Sequence, residues 1–191
     1  TMEQSFMDVA LEEDGYLALL EFLHQHFCKE IEVWAQTDID AIFLMDDWGT
    51  QDALMVSPKI FRRRFKPMYA DYCGIARLYG KKVFMHSDGY ITEIIEDLIE
   101  CGVDAINSQL FCMDMEELSK RYKGRISFWG EIDRQDLLPN ASKREVSRAV
   151  KDVYNYLYDR GGVIAQCEFG PAANPKNIET VFRTWNRIGR Q

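Results

Sequence analysis

The stretch VFMHSDG, residues 83–89, runs from residues suited to a buried strand straight into an imidazole, a hydroxyl and a carboxylate. In an extended chain alternate side chains share a face, so Phe84, His86 and Asp88 are expected to point the same way. A base and an acid brought together at a strand end can hold and exchange a proton, or ligate a metal. The same pattern recurs along the chain. Asp46-Asp47, Asn107-Ser108-Gln109, Glu131 with Asp133, and Cys167-Glu168 each follow a short apolar run. One rim would then carry six carboxylates, one imidazole and one thiol, which repel one another unless something positive sits among them. A metal ion or a cationic substrate would meet that need. Any one of these residues has a plainer use, because a chain leaving the core must turn polar and cap a helix; the set is more informative than its members.

The apolar runs themselves are AIFLM (41–45), KVFM (82–85), AINS (105–108), ISFW (126–129) and VIAQC (163–167). Being apolar almost throughout, they read as parallel strands buried on both faces. Helices are expected between them. Ser57-Pro58 is an N-cap and first-turn proline ahead of a helix to about Tyr79. Ile91, Ile94, Ile95, Leu98 and Ile99 form a stripe that Gly102 closes. Asp114 with Glu117, and Ser142 with Glu145, read as capping boxes. The second of these opens a helix with Val146, Val150, Val153 and Leu157 inward, stopped by Gly161-Gly162. Asn174-Pro175 starts a last helix with Ile178, Val181, Phe182 and Trp185 on one face, and two further helices are expected over 3–13 and 16–36. Strand then helix, five times over, is a parallel α/β sheet in one domain spanning 1–191. A closed (β/α)8 barrel needs eight such units and roughly 250 residues, so periodicity alone favours an open doubly wound sheet.

With 191 residues the chain can bury a sizeable core, and no apolar run approaches the roughly 18 residues of a membrane span. A net charge of -8 argues against nucleic acid and anionic membrane surfaces as partners. Five cysteines without CxxC spacing fit reduced thiols in a cytoplasm. His24 and His26, two apart on a helix, read as surface or packing residues. Cys28, Cys73 and Cys101 read as small buried hydrophobes on helices. FRRRFKP (61–67) reads as a solvated basic face.

Taken together, DDWGTQ (46–51), SPKIFRRRFKP (57–67), KVFMHSDGYI (82–91), DLIECGVDAIN (97–107), FWGEID (128–133) and NPKNI (174–178) resemble, in order and spacing, the uroporphyrinogen decarboxylase superfamily. The superfamily contains that decarboxylase and the corrinoid-linked methyltransferases. The resemblance implies an α/β fold, a (β/α)8 TIM barrel of which this chain supplies the later five units, strands four to eight. The first and last strands would then have open edges, inviting a homodimer. In the methyltransferase branch a His-x-Cys motif and a later Cys bind zinc. His86 matches that histidine, Asp88 stands where the first Cys would be, and the second falls on or beside Glu168, with Cys167 next to it. The histidine of the decarboxylase branch at that point is missing.

The resemblance thus implies a site of His86, Asp88 and Glu168, with Cys167 as a further candidate ligand. Carboxylates in place of thiolates admit zinc or another divalent metal. A metal-free site, with Asp88 orienting His86 for acid–base work, stays open. The reaction implied is methyl transfer from a small methylated or methoxylated compound to a corrinoid protein or a thiol. His86, Asp88 and Glu168 would be catalytic; Asp46, Asp47, Trp48, Gln109, Trp129, Glu131 and Asp133 would bind substrate. Trp48, Tyr90, Trp129 and Phe169 flank the same strand ends, where they could hold a quaternary amine or simply pack. Decarboxylation of uroporphyrinogen, a lyase reaction, is the runner-up; its polycarboxylate substrate calls for a basic cavity, and only Arg134 and Lys176 lie nearby. An inactive truncated barrel is the third reading.

Overall fold

The chain begins, in the computed structural model describing residues 1–190, with helices α1 (Met2–Leu11) and α2 (Asp14–Ala35). Strand β1 (Ala41–Met45) leads to a helical stretch in three parts: α3 (Pro58–Ile60), a π-helical turn (Phe61–Phe65) and α4 (Lys66–Leu78). β2 (Lys82–Ser87), a 3₁₀ turn (Thr92–Ile94) and α5 (Ile95–Cys101) follow. β3 (Ala105–Ser108), a second 3₁₀ turn (Leu110–Cys112) and α6 (Met115–Tyr122) come next. The chain closes with β4 (Ser127–Gly130), α7 (Leu137–Asn140), α8 (Lys143–Leu157), β5 (Val163–Ala165) and α9 (Pro175–Ile188).

Local signals explain most boundaries. The Ser57 hydroxyl accepts from the Ile60 amide at 3.3 Å, and Asn174 caps α9. Ser142 and Glu145 form a complete capping box, each side chain answering the other's backbone amide. Asp114 caps α6 by accepting from the Glu116 and Glu117 amides, but Glu117 turns instead to Arg121, so that box is half formed. The expected helix over 58–79 is interrupted at FRRRF, where the wider turn presents Phe61 and Phe65 edge-on to Trp48. The basic residues there are not a free solvated face. Arg62 and Lys66 pair with the buried Asp97 of α5, while Arg63 and Arg64 pair with Glu12 after α1. On α9, Val181 and Trp185 are buried but Phe182 is exposed, so the apolar face is narrower than its spacing implies.

The five strands are all parallel and lie in sequence order, β1-β2-β3-β4-β5. A doubly wound sheet reverses its order at a switch point; this one never does. Crossovers of the usual right hand between consecutive neighbours put their helices on one face, so the doubly wound expectation gives way to an arc of a singly wound, barrel-like sheet. Burial follows the same division. Val83, Met85, Ile106 and Phe128 are sealed under helices, where they meet Ile94, Ile95 and Leu98 in one core. The inner face is open, with Phe43 45% and Met45 67% exposed on β1. The expectation of strands buried on both faces therefore fails at β1, whose inner face has no opposite wall among the described residues.

Candidate active site

Alternation along β2 sends Met85 and Ser87 to the helix side and Phe84 and His86 inward, and the chain then turns at Asp88-Gly89. Ser87 is wholly buried, its hydroxyl accepting from the Trp48 amide, which ties the β1 exit to the β2 exit. The two loops lie against each other at glycines. Gly49 donates to the Asp88 carbonyl, Gly89 has φ +76°, and a Cβ on either glycine would overlap the other loop's backbone. This close approach also lets the Asp47 Oδ1 accept from the Asp88 amide at 2.9 Å. Asp47 and Asp88 are thereby both brought within reach of His86.

The imidazole is held from β3. Asn107 lies beside His86 in register, and its Oδ1 is 2.6 Å from His86 Nδ1. The Asn107 Nδ2 donates to the Trp129 carbonyl at 3.0 Å and to Gln166 Oε1 at 2.5 Å. With the amide nitrogen engaged by two acceptors, the oxygen faces His86, and Nδ1 must carry the proton. His86 Nε2 is therefore the free position. It lies 3.5 Å from Asp47 Oδ1 and 3.6 Å from Asp88 Oδ1, and these three residues form a cluster able to hold a metal ion. Asp88 Oδ1 is buried and has no hydrogen-bond partner among the described residues.

Behind Asp88 stands Arg134, from the loop after β4. Its Nη2 donates to Asp88 Oδ2 at 2.6 Å, and its Nη1 donates to Glu131 Oε2 at 2.7 Å and lies 3.3 Å from Glu168 Oε2. Glu131 has a fully buried side chain, and its carboxyl is pushed up to about 8. Burial is the main cause, followed by the approach of the Glu168 carboxyl, to which a protonated Glu131 can donate; the negative charges of Glu168 and Asp88 add to it, against the pull of Arg134.

The other expected site residues have other places. Asp46 accepts from the Tyr69 hydroxyl at 2.6 Å, and Tyr69 accepts from the Trp48 indole at 2.8 Å. That chain runs into the core, and burial raises the Asp46 carboxyl. Trp48 packs against Phe61, Phe65 and Tyr69 rather than the open inner face. The Gln109 Oε1 accepts from the Gly89 amide, bracing the β2 loop. Asp133 caps the turn after β4 by accepting from the Gln135 and Asp136 amides. Trp129 does face inward, its ring 6.0 Å from Phe84 and 5.6 Å from Phe43, forming an aromatic floor. Glu168 joins Arg134 rather than the His86 cluster. Cys167 is buried outside that cluster, its thiol pushed up to about 11 by burial. Residues absent from the expected site are Asn107, Arg134 and Gln166. The signal for Asn107 was its inward position on the strand next to His86; for Arg134 it was the i, i+3 spacing from Glu131.

The profile of the uroporphyrinogen decarboxylase (URO-D) family matches residues 1–188. No curated protein sequence matches the chain. Among solved structures, a methyltransferase from Methanosarcina mazei superposes with a TM-score of 0.75 at 14% identity, over 97% of this chain and 53% of that one. The chain thus spans about half the length of that structure. At this identity the likeness is one of fold.

Proposed function

Since the chain belongs to the uroporphyrinogen decarboxylase family, we propose that its cleft serves methyl transfer, from a small methylated or methoxylated compound to a corrinoid protein or a thiol. The observation that carries this reading is the convergence of His86 Nε2, with its tautomer fixed by Asn107, and the Asp47 and Asp88 carboxylates. A cation held by such a group would activate a methyl donor by drawing charge from the heteroatom that must leave.

The donor set fits a hard divalent cation. Ligands at about 2.1 Å from a tetrahedral ion stand roughly 3.4 Å apart, close to the 3.5 and 3.6 Å found around Nε2. The orphaned Asp88 Oδ1 gives such an ion a ready partner. A thiolate site does not fit, because Cys167 lies outside the cluster with its thiol raised. Asp47, His86 and Asp88 would therefore hold zinc, iron, manganese or cobalt, and the ion would supply Lewis acidity to the donor's heteroatom. The chain's own groups do the rest. Asn107 keeps the imidazole turned, Arg134 occupies Asp88 Oδ2 and leaves Oδ1 free, and Phe43, Phe84 and Trp129 offer an apolar floor for the methyl-bearing body.

Decarboxylation of a porphyrinogen is poorly served by this cleft, since Arg134 is already met by three carboxylates. A corrinoid protein as partner and a cytoplasmic setting go with the methyl-transfer reading; no described helix is long and apolar enough to cross a membrane. The test is elemental analysis of the purified protein beside His86→Ala and Asp47→Asn. About one equivalent of metal, lost in His86→Ala and weakened in Asp47→Asn, supports the site. Wild-type protein that takes up no divalent metal on loading rules it out.

A further inference from the structure

We infer that Glu131 and Glu168 share one proton against Arg134, and that Glu168 gives this proton to the departing oxygen of a methoxylated donor. The delivery step rests on the methyl-transfer reading; the shared proton does not.

Even with Asp88 given over to the proposed cation, the one guanidinium of Arg134 meets the carboxyls of both Glu131 and Glu168, so the group carries more negative charge than Arg134 can balance. The excess is least tolerable at Glu131, whose side chain has no exposure to water. Its Oε2 accepts from Arg134, but its Oε1 is buried without a partner among the described residues. As a carboxylate, that oxygen is an acceptor with nothing to accept. As an acid, Glu131 becomes a donor and Glu168 its acceptor, which satisfies both groups at once. The upward displacement of the Glu131 carboxyl agrees with this arrangement. Among its charged and titratable neighbours are Asp88 from the β2 loop, Arg134 from its own loop and Glu168 after β5. Cys112, from the turn after β3, is near enough for Glu131 to help raise its thiol.

Glu168 is 41% exposed and stands across the Arg134 guanidinium from Asp88, so it links this buried proton to solvent beside the His86 cluster. An ether leaves as an alkoxide or phenoxide, and that charge needs a proton. The nucleophile, a corrinoid cobalt or a thiolate, forms the bond to the methyl carbon with its own electron pair. The carbon–oxygen bond breaks, its electrons stay on oxygen, and the proton passes from Glu168 to that oxygen. Glu131 then re-supplies Glu168, and solvent restores the pair. A quaternary ammonium leaves as a neutral amine and needs no such acid, so the assignment selects ethers.

The test begins with carboxyl-13C glutamate NMR of the wild-type protein across the neutral range. One neutral glutamic acid at pH 7, absent from folded Glu131→Gln, is the expected result. Every glutamate ionised at pH 7, or a neutral signal that survives in Glu131→Gln, overturns the shared proton; the wild-type titration decides even where the variant fails to fold. For delivery, Glu168→Gln should slow alkyl methyl ethers about 100-fold or more in kcat and electron-poor aryl methyl ethers far less. Equal slowing of both overturns the acid role. Absence of turnover with any ether overturns delivery together with the methyl-transfer reading, while the NMR result stands apart.

Discussion

Replacing Glu131 by glutamine should stabilise the fold at neutral pH, although it removes a wholly buried ionisable group from the cleft. In the unfolded chain this carboxyl titrates near its ordinary 4.5; in the folded protein it is pushed up to about 8. Between those values the folded state holds a proton that unfolding releases. The sign follows directly: the unfolded state binds fewer protons, so stability falls as pH rises through this window, by about 1.4 kcal/mol per unit. At pH 7 the wild-type protein is thus about 3 kcal/mol less stable, through this one group, than at pH 4.5, and above pH 8 about 5 kcal/mol less. Glutamine has no proton to lose. It keeps both contacts of the neutral acid, its oxygen accepting from Arg134 and its amide donating toward Glu168. The two proteins should therefore be nearly equal near pH 5 and diverge in favour of Glu131→Gln as pH rises.

Urea denaturation followed by tryptophan fluorescence, in steps from about pH 5 to about pH 8.5, measures the difference. A gap that widens by roughly 1 kcal/mol per unit and levels off above about pH 8 is expected. A difference independent of pH would falsify the account, as would a glutamine variant less stable than wild type throughout. Stability gained at the cost of turnover is the usual relation where a site holds a group in an unfavourable state.

Three other perturbations test the supports of the site. Asn107→Leu removes the acceptor that fixes the imidazole tautomer, and should weaken divalent-metal affinity about 10- to 100-fold in chelator competition; unchanged affinity would show that Asn107 does not orient His86. Gly89→Ala forces a side chain into a positive-φ position against the Gly49 backbone, so a loss of about 2 kcal/mol or more in thermal or urea unfolding is expected, with metal binding lost as well. Met45→Lys places a charge on the exposed end of edge strand β1. If that edge joins copies of the chain, sedimentation should show wild-type association that this substitution abolishes; a wild-type monomer at high concentration would remove the edge as an interface.

Much of the fold can be read in advance because its signals are local. Ser57, Ser142 and Asn174 each cap the helix they precede, and the spacing of Val146, Val150, Val153 and Leu157 marks a face that is buried. What periodicity does not carry is strand order. Five strand–helix units can be wound from the centre outward or laid down in sequence, and the apolar pattern of each strand is nearly the same in both. Nor does an apolar run reveal which neighbour covers it. Phe43 and Met45 have the composition of a fully buried strand and lie open, since burial of an inner face depends on what stands opposite it, and no such wall is present among the described residues.

Strand order also governs how far the site can be read. His86 and Asp88 share a face because they belong to one strand, and alternation suffices to place them. The third member of their cluster depends on which strand lies alongside. β1 pairs with β2, Met45 opposite His86, so Asp47 two residues on is the carboxylate within reach. Glu168 follows β5, three strands from β2, and spacing along the sequence has no means of registering that distance. Arg134 bridges the gap instead. Leaving the loop after β4, its forked guanidinium spans Asp88 on one side and Glu131 with Glu168 on the other, the bidentate geometry that suits arginine to carboxylates. The rim's need for a positive charge is thus met within the chain for three of its carboxyls, one of which keeps its proton. Asp46 and Asp133 are answered by the Tyr69 hydroxyl and by backbone amides; where Asp47, His86 Nε2 and Asp88 Oδ1 converge, the proposed external cation would supply the missing charge.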